Sequence, residues 1–242
     1  MATFNISSYF NGLGDCLQFS TLPEELAKLG HEVRLYTGPE VQPFRNAEIC
    51  KFVWGHNPYV KGESKENWNC GDIPGKPYQN TTGSFIRNWE DFMGIEPKND
   101  LPKIYYTPKL HLEPTAYGII ELSGISMKDE YKAEEVLRCA ERIIEKHPSV
   151  QFYTLTTKHR SNPIQVHGLP NLNGYNLEDI SDKIYNAKVF ISLSSGLHSL
   201  AAAIQRINPY FSQYCILPAS KYDFFMNSKL FIYPNVIYIQ EG

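Results

Sequence analysis

The spacing of apolar residues in the N-terminal part of the chain changes from the pattern of a strand to that of a helix and back. The segments TFNISSY and HEVRLYTG are typical of strands. The apolar residues between them recur at near-helical intervals, namely Leu17, Phe19, Leu22, Leu26 and Leu29. A helix is therefore predicted there, with a break or an offset at Pro23 and an end at Gly30. The whole stretch has the length of a parallel strand–helix–strand crossover.

The same pattern predicts the rest of the first half. EICKFVWG indicates another short strand. Residues 57–83 are rich in Gly, Pro, Asn and Lys, which indicates an irregular surface region. SFIRNWEDFMGI then indicates a helix that ends at Gly94.

The second half of the chain repeats the alternation. Strands are predicted at YGIIELSG, VQFYTLTT and KVFISLS, and helices at KDEYKAEEVLRCAERIIEKHP, LEDISDKIYNA and GLHSLAAAIQRI. Two halves of this kind predict an α/β protein with two Rossmann-like domains that face each other across a cleft. We expect these domains to comprise residues 1–110 and 111–242.

Composition narrows the class of protein. The chain has 242 residues, of which 42% are hydrophobic and 20% charged, and its formal net charge is −3, so it carries no global basic signal for nucleic acid. Its five cysteines are scattered without a Cys-x-x-Cys pair, which argues against a disulfide framework or a zinc site and for a reducing compartment. The first residues lack the pattern of a signal peptide, and no apolar run is long enough for a membrane span. A cytoplasmic location is therefore expected.

The clearest candidate for binding chemistry is VFISLSSGLHSLAAAI. An apolar strand ends in Ser194, Ser195 and Gly196, and a helix of small residues follows at once. Helix N-termini bind phosphates through their backbone N–H groups, and serine hydroxyls add hydrogen-bond donors. His198 and Ser199 are candidates to reach a phosphate or a sugar oxygen. The alternative is an ordinary buried helix with a serine cap.

A second strand end offers a partner for the same anion. Ser123 ends the strand YGIIELSG, and Lys128 follows five residues later. A lysine at this place can neutralise a diphosphate. The alternative is a solvated lysine before a helix.

The N-terminal strand leads into an acid behind two glycines. Asp15 follows Gly12 and Gly14 at the point where the strand turns into a helix. Three interpretations remain open from the residues alone: a helix N-cap, the remnant of a phosphate site, or a catalytic base that takes a proton from a hydroxyl.

A phosphate-binding site that depends on a metal ion is not expected. Sites that hold a diphosphate through Mg²⁺ or Mn²⁺ need a cluster of carboxylates, often two Asp one residue apart. The sequence contains no Asp-x-Asp. We therefore predict no metal ligands and no cofactor.

Several stretches together resemble glycosyltransferase family nine, the lipopolysaccharide heptosyltransferases. GLGDCLQFSTLPEELAKLGHEVRLYT is similar to the opening of that family. HNPYV and SFIRNWEDFMGIEPKNDLPKIYYTP resemble its middle section, and LEDISDKIYNAKVFISLSSGLHSLAAAI resembles the signature of its second domain. The matches follow in order along nearly the whole chain.

The resemblance implies a GT-B fold and transfer of a sugar from a nucleotide-diphosphate donor. It implies that Asp15 is the catalytic base, and it implies donor-phosphate contacts at Ser123, at Lys128 and at the turn of Ser195 and Gly196. The chain departs from the family at two positions of the signature. Ser194 stands where the family has Asp, and Ser199 stands where it has His, with His198 one place earlier.

These observations predict a compact inverting glycosyltransferase whose acceptor is a hydroxyl on a surface saccharide. A rival acceptor is a hydroxylated base in viral DNA, for which Lys103, Lys109, Lys158 and Arg160 would supply a local basic face. Another alternative is a protein that binds a nucleotide sugar without catalysis. A Rossmann oxidoreductase is disfavoured because no Gly-x-Gly-x-x-Gly follows a strand.

Overall fold

The strands of this protein pair in parallel and form two separate sheets, one in each half of the chain. The computed structural model describes residues 1–73, 84–110, 116–123, 128–157 and 164–242. Unit 1 comprises Met1–Thr107 with Ser228–Tyr233, and unit 2 comprises Pro108–Asn227 with Pro234–Gly242. The sequence places a boundary between residues 110 and 111 but does not predict the return of Ser228–Tyr233 to unit 1.

Unit 1 is built around a four-stranded sheet in the order β3-β2-β1-β4. Its elements are β1 (Thr3–Ser7), α1 (Leu13–Gln18), α2 (Leu22–Lys28), β2 (Glu32–Tyr36), α3 (Ala47–Ile49), a π-helical segment (Cys50–Gly55), β3 (Val60–Ser64), β4 (Cys70–Gly71) and α4 (Phe85–Phe92). The helix predicted after β1 is divided into α1 and α2. Pro23 lies in the first turn of α2, where a backbone N–H has no helical partner to lose.

Two predictions for the middle of unit 1 are wrong. EICKFVWG forms α3 and the π-helical segment rather than a strand, because Asn46 caps it through Glu48 N–H and because its buried residues recur at helical intervals. The region predicted to be irregular contains β3 and β4, and residues 74–83 lie outside the described part. β3 is mostly exposed, so its sequence lacks the apolar alternation that identifies a strand.

Unit 2 is built around a six-stranded sheet in the order β10-β9-β8-β5-β6-β7. Its elements are β5 (Tyr117–Glu121), a 3₁₀ turn (Lys128–Glu130), α5 (Ala133–Glu145), β6 (Gln151–Thr157), β7 (Asn171–Gly174), α6 (Leu177–Asn186), β8 (Val189–Leu193), α7 (Gly196–Gln205), β9 (Ser212–Leu217), a second 3₁₀ turn (Ala219–Lys221), α8 (Tyr222–Ser228) and β10 (Val236–Gln240). The predicted strands and helices of this half are all present. The elements β7, β9, α8 and β10 are additional to the prediction.

The core of unit 2 follows directly from the sequence pattern. Every residue of β8 is buried, as expected for a continuous apolar run in the middle of a parallel sheet. On α5, Val136, Cys139, Ala140 and Ile143 are buried at helical spacing in one hydrophobic cluster with residues of the sheet. Among the described residues, no helix combines the length and the apolarity that a membrane crossing requires.

In both sheets the strand order reverses beside the first strand. β1 lies between β2 and β4, and β5 lies between β6 and β8. The order in unit 2 is that of the doubly wound Rossmann fold, and the predicted α/β class with two Rossmann-like halves is confirmed. Open α/β sheets bind ligands outside the carboxyl ends of their strands at such reversals. The ends of β1 and β4, and those of β5 and β8, are therefore the places to search for a site.

Candidate functional site

Asp15 lies in the first turn of α1, and its side chain extends back to the N-terminal end of this helix. Gly12 is the N-cap of α1, and Asp15 is the third helical residue, so the N-cap interpretation of Asp15 is wrong. Its carboxylate accepts a hydrogen bond from the backbone N–H of Gly12. A Cβ at Gly12 would lie 2.6 Å from Asp15 Oδ2, so a larger residue at position 12 would make this carboxylate shift. Gly14 is a buried residue inside α1, not the turn residue that was predicted.

The environment of Asp15 favours its protonated form more than water does. Burial raises the pKa of this carboxyl above the ordinary value of 3.8, and the nearby charge of Asp72 raises it further. The guanidinium of Arg45 acts in the opposite direction. Arg45 Nε lies 3.6 Å from the position that a Cβ on Gly12 would occupy, so it approaches the same turn. A carboxylate with a raised pKa is suited to accept a proton.

Asp72 follows β4 and lies beside the end of β1. Its backbone N–H donates to the carbonyl of Ser7 at 3.1 Å, and its carboxylate accepts from the backbone N–H of Tyr9. Gly71 has a φ of +86°, and a Cβ there would lie 2.1 Å from the Ser7 oxygen. Asp72 is absent from the sequence-based predictions, and its only local signal in the sequence is a second Gly-Asp pair, Gly71-Asp72.

Two aromatic side chains are exposed on the loop between β1 and α1. Tyr9 is 39% exposed and Phe10 47% exposed, and their rings meet edge to face at 5.0 Å. The Tyr9 carbonyl accepts from Gln42 N–H at 2.9 Å, and Asn11 Nδ2 donates to the Gln42 carbonyl at 2.6 Å. The loop therefore presents apolar ring surface close in sequence to Asp15.

The turn from β8 into α7 has the predicted strand–turn–helix form. Ser195 is the N-cap residue in an extended conformation, and Ser194 to Gly196 are partly exposed. The Ser194 N–H donates to the Tyr131 hydroxyl at 3.2 Å, and that hydroxyl donates to the Ile216 carbonyl at 3.2 Å. Burial raises the pKa of Tyr131, which keeps this hydroxyl protonated as the link requires. The start of α7 is thus held in place with its backbone N–H groups at the carboxyl end of β8.

A buried glutamate, absent from the sequence-based predictions, connects the two strand ends of unit 2. Glu121 ends β5 with no exposed surface. It accepts hydrogen bonds from the backbone N–H of Ser123 at 3.1 Å, from the Ser123 hydroxyl, and from the Ser195 hydroxyl at 3.4 Å. Ser123 and Ser195 are therefore brought together, as predicted. The available signal was a charged residue at the end of an otherwise apolar strand.

His198 and Ser199 do not lie at the turn, and both predicted contacts are corrected. His198 has no exposed surface, with Nδ1 at 2.9 Å from Gln213 Nε2 and Nε2 at 3.3 Å from the Tyr238 hydroxyl. Ser199 is also fully buried, one turn inside α7. Both side chains are buried in the packing around α7, where His198 contacts Gln213 of β9 and Tyr238 of β10.

A cavity of about 290 Å³ lies beside the same end of β5. Ile120 and Leu122 line one side of it, and Thr154 and Thr156 of β6 line another. The segment 164–169 covers it. Ser123 directly follows a lining residue, so the cavity adjoins the Glu121 cluster.

Most of the predicted positive groups have side chains outside the described part of the chain. Lys128 begins the 3₁₀ turn, but its side chain lies outside the described part, as do Lys158 and Arg160. Lys103 pairs with Glu24 in unit 1. Within the described ranges, no group of His, Cys, Asp and Glu side chains is arranged to hold a metal ion.

Comparison with solved structures shows which known proteins share the fold of this chain. No protein-family model and no curated sequence matches it. The solved structure of TibC, a bacterial iron-containing dodecameric glycosyltransferase from enterotoxigenic E. coli, matches with a TM-score of 0.62 and 14% identity over 100% of this chain. The chain spans 64% of the length of TibC.

Two further solved structures match this chain over a larger share of their own length. A glycosyltransferase of family 9 from Veillonella parvula matches with a TM-score of 0.59 and 10% identity, over 99% of this chain and 84% of that one. E. coli heptosyltransferase WaaC with ADP matches with a TM-score of 0.57 and 10% identity, over 99% and 93%. The chain therefore has the GT-B-type fold of the heptosyltransferases and other family-nine glycosyltransferases.

Proposed function

We propose that this protein is an inverting glycosyltransferase that moves a sugar from a nucleotide-diphosphate sugar to an acceptor hydroxyl. The observation that carries the proposal is Asp15, a partly buried carboxylate with a raised pKa that lies against Gly12 at the start of α1. A non-catalytic binding protein would have no use for such a group. The fold shared with glycosyltransferases supports the same class of reaction.

The proposed chemistry is a single displacement. Asp15 takes the proton of the acceptor hydroxyl, and the oxygen forms a bond to the anomeric carbon of the donor sugar. The bond between that carbon and the diphosphate oxygen breaks at the same time, and the nucleoside diphosphate leaves with the electron pair. One displacement inverts the anomeric configuration.

Unit 2 is proposed to bind the donor. The backbone N–H groups at the start of α7 would hold the diphosphate near Gly196, and Lys128 would add a positive charge. The cavity beside β5 would take the base of the nucleotide. Solved neighbours contain ADP, in WaaC, and ADP-D-β-D-heptose, in TibC, so an ADP-linked sugar is the proposed donor.

The proposed acceptor is a saccharide. The exposed rings of Tyr9 and Phe10 suit the apolar face of a sugar ring. The rival acceptor, a base in viral DNA, gains no support, since Lys103 is engaged by Glu24.

The five cysteines are free thiols, which supports the proposed cytoplasmic location.

The test is the variant Asp15→Asn, which keeps the shape of the side chain and removes the base. We expect the rate of sugar transfer to fall by on the order of 10²-fold or more, while the affinity for ADP changes little. Asp91→Asn, an exposed acid on α4, is the control and is expected to retain the wild-type rate. Near-normal turnover by Asp15→Asn would contradict the assignment of the base.

A binding protein without catalysis gives a different result. It would bind ADP-heptose, detected as a rise in melting temperature, and release no ADP with any saccharide acceptor. Release of ADP that depends on both Asp15 and an added acceptor supports the transferase.

A further inference from the structure

Glu121 lies at the reversal point of the sheet in unit 2. It is the last residue of β5, has no exposed surface and pairs in register with Ser192 of β8. Its carboxylate therefore lies between the two strand ends from which Ser123 and Ser195 continue. A buried carboxylate in this position determines how the two serine hydroxyls are presented to a ligand at the adjoining turn.

The hydrogen bonds of this cluster have a defined direction. The Ser195 hydroxyl donates to Glu121 Oε2 at 3.4 Å, and the Ser123 hydroxyl donates to Glu121 Oε1. A hydroxyl has one hydrogen to donate and two lone pairs that accept. With its hydrogen directed at Glu121, the partly exposed Ser195 oxygen is left as an acceptor. The hydroxyl does not cap α7, so the first N–H groups of the helix are not occupied by it.

An acceptor at Ser195 does not suit a phosphate. Phosphate oxygens accept hydrogen bonds, so a phosphate can bind the Ser195 hydroxyl only if the bond to Glu121 is broken. A ligand hydroxyl, in contrast, donates to the Ser195 oxygen and leaves the bond to Glu121 intact.

We propose that Glu121 is a positioning residue that holds the Ser195 hydroxyl as an acceptor for a hydroxyl of the bound nucleotide sugar. The diphosphate is then held by the backbone at the start of α7, and the predicted contact between Ser195 and a phosphate is replaced. The proposal rests on the proposed function and names the part of the donor that this side chain recognises. The hydroxyl belongs either to the ribose or to the transferred sugar.

Three probes separate these possibilities. Pyrophosphate carries no hydroxyl, ADP adds those of the ribose, and ADP-heptose adds those of the sugar. Their dissociation constants are measured by calorimetry, with pyrophosphate in competition against ADP-heptose. For Ser195→Ala we expect ADP-heptose to bind about five- to tenfold more weakly and pyrophosphate to bind as in the wild type. Weaker ADP binding assigns the hydroxyl to the ribose, and unchanged ADP binding assigns it to the sugar.

Glu121→Gln tests the positioning role, because it should change the affinities for ADP-heptose and for pyrophosphate in opposite directions. The amide group of glutamine can donate to Ser195, which releases the serine hydrogen for a ligand, and the substitution removes the negative charge. We therefore expect weaker binding of ADP-heptose and tighter binding of pyrophosphate. A merely structural role for Glu121 would weaken both.

A matched pair of controls exists in the same unit. The Ser220 hydroxyl donates to Glu130 Oε2 at 2.6 Å on the surface, so Ser220→Ala and Glu130→Gln remove the same kind of bond elsewhere. Both controls should bind all three probes as the wild type does.

The results that overturn this proposal differ from the result that overturns the proposed function. Equal loss of pyrophosphate and ADP-heptose affinity in Ser195→Ala, or no loss of either, would show that Ser195 does not read a hydroxyl. Failure of the wild type to bind either ADP or ADP-heptose would contradict the proposed function itself. If Glu121→Gln does not fold, Ser195→Ala still tests whether the Ser195 oxygen accepts a hydrogen bond from a ligand hydroxyl.

Discussion

At the scale of single residues, Asp15 lies among charges that act on its pKa in opposite directions. Burial and Asp72 raise the pKa of its carboxyl, and Arg45 lowers it. Because the ionised form of Asp15 is the proposed base, activity should rise with pH through the pKa of this carboxyl. Arg45→Met should move the midpoint of this rise to higher pH, and Asp72→Asn should move it to lower pH. The measurement is the pH profile of kcat/KM for each variant.

The two substitutions should move the midpoint of the pH profile in opposite directions, and this difference is the control. A general loss of packing in unit 1 would move both midpoints in the same direction or lower the rate at every pH. The ¹³C chemical shift of the Asp15 carboxyl, followed through a pH titration, gives the same pKa without an acceptor. Midpoints that do not move in either variant would show that neither charge acts on Asp15.

At the scale of elements, a buried carboxylate joins α4 to two other parts of unit 1. Glu90 has no exposed surface. It accepts from the hydroxyl of Thr21, the N-cap residue of α2, at 3.0 Å, and from the backbone N–H groups of Lys98 and Asn99 at 2.9 and 3.0 Å. Glu90→Ala leaves these donors unsatisfied and should lower the free energy of unfolding by about 3 kcal/mol or more.

The neighbouring residue supplies the comparison for Glu90. Asp91 is exposed on the same helix, so Asp91→Ala changes helix propensity and charge without opening the buried cluster. Urea unfolding of the two variants measures the difference. Similar small losses in both would mean that the Glu90 hydrogen bonds contribute little to the stability of unit 1.

At the scale of the whole molecule, we predict that sugar transfer needs no divalent metal. The sequence has no Asp-x-Asp, and the start of α7 together with Lys128 is proposed to balance the charge of the leaving diphosphate. TibC, which shares this fold, is an iron-containing glycosyltransferase, so the metal requirement of this chain needs a direct test. The rate in excess EDTA should equal the rate without it. Activity lost on chelation and restored by Mn²⁺ or Mg²⁺ would contradict the prediction.

The sequence by itself determined the elements whose signals are local. β8 reads as a strand because it is apolar throughout, and α5 and α6 read as helices because their buried residues recur every three or four positions. Gly12 and Asp15 were identifiable for the same reason, since a glycine and an acid at a strand end are neighbours in the chain. β3 was missed because an exposed edge strand has no apolar alternation to reveal it.

Only the tertiary structure decided which distant residues meet. Asp72 reaches the end of β1 because β4 pairs beside β1, and Glu121 reaches Ser195 because β5 pairs with β8; neither pairing is written in any local stretch. His198 shows the converse, because it looked available in the sequence and is buried against Gln213 and Tyr238. Strand order and the direction of side chains from a helix depend on packing across the whole unit, and packing has no short-range signature.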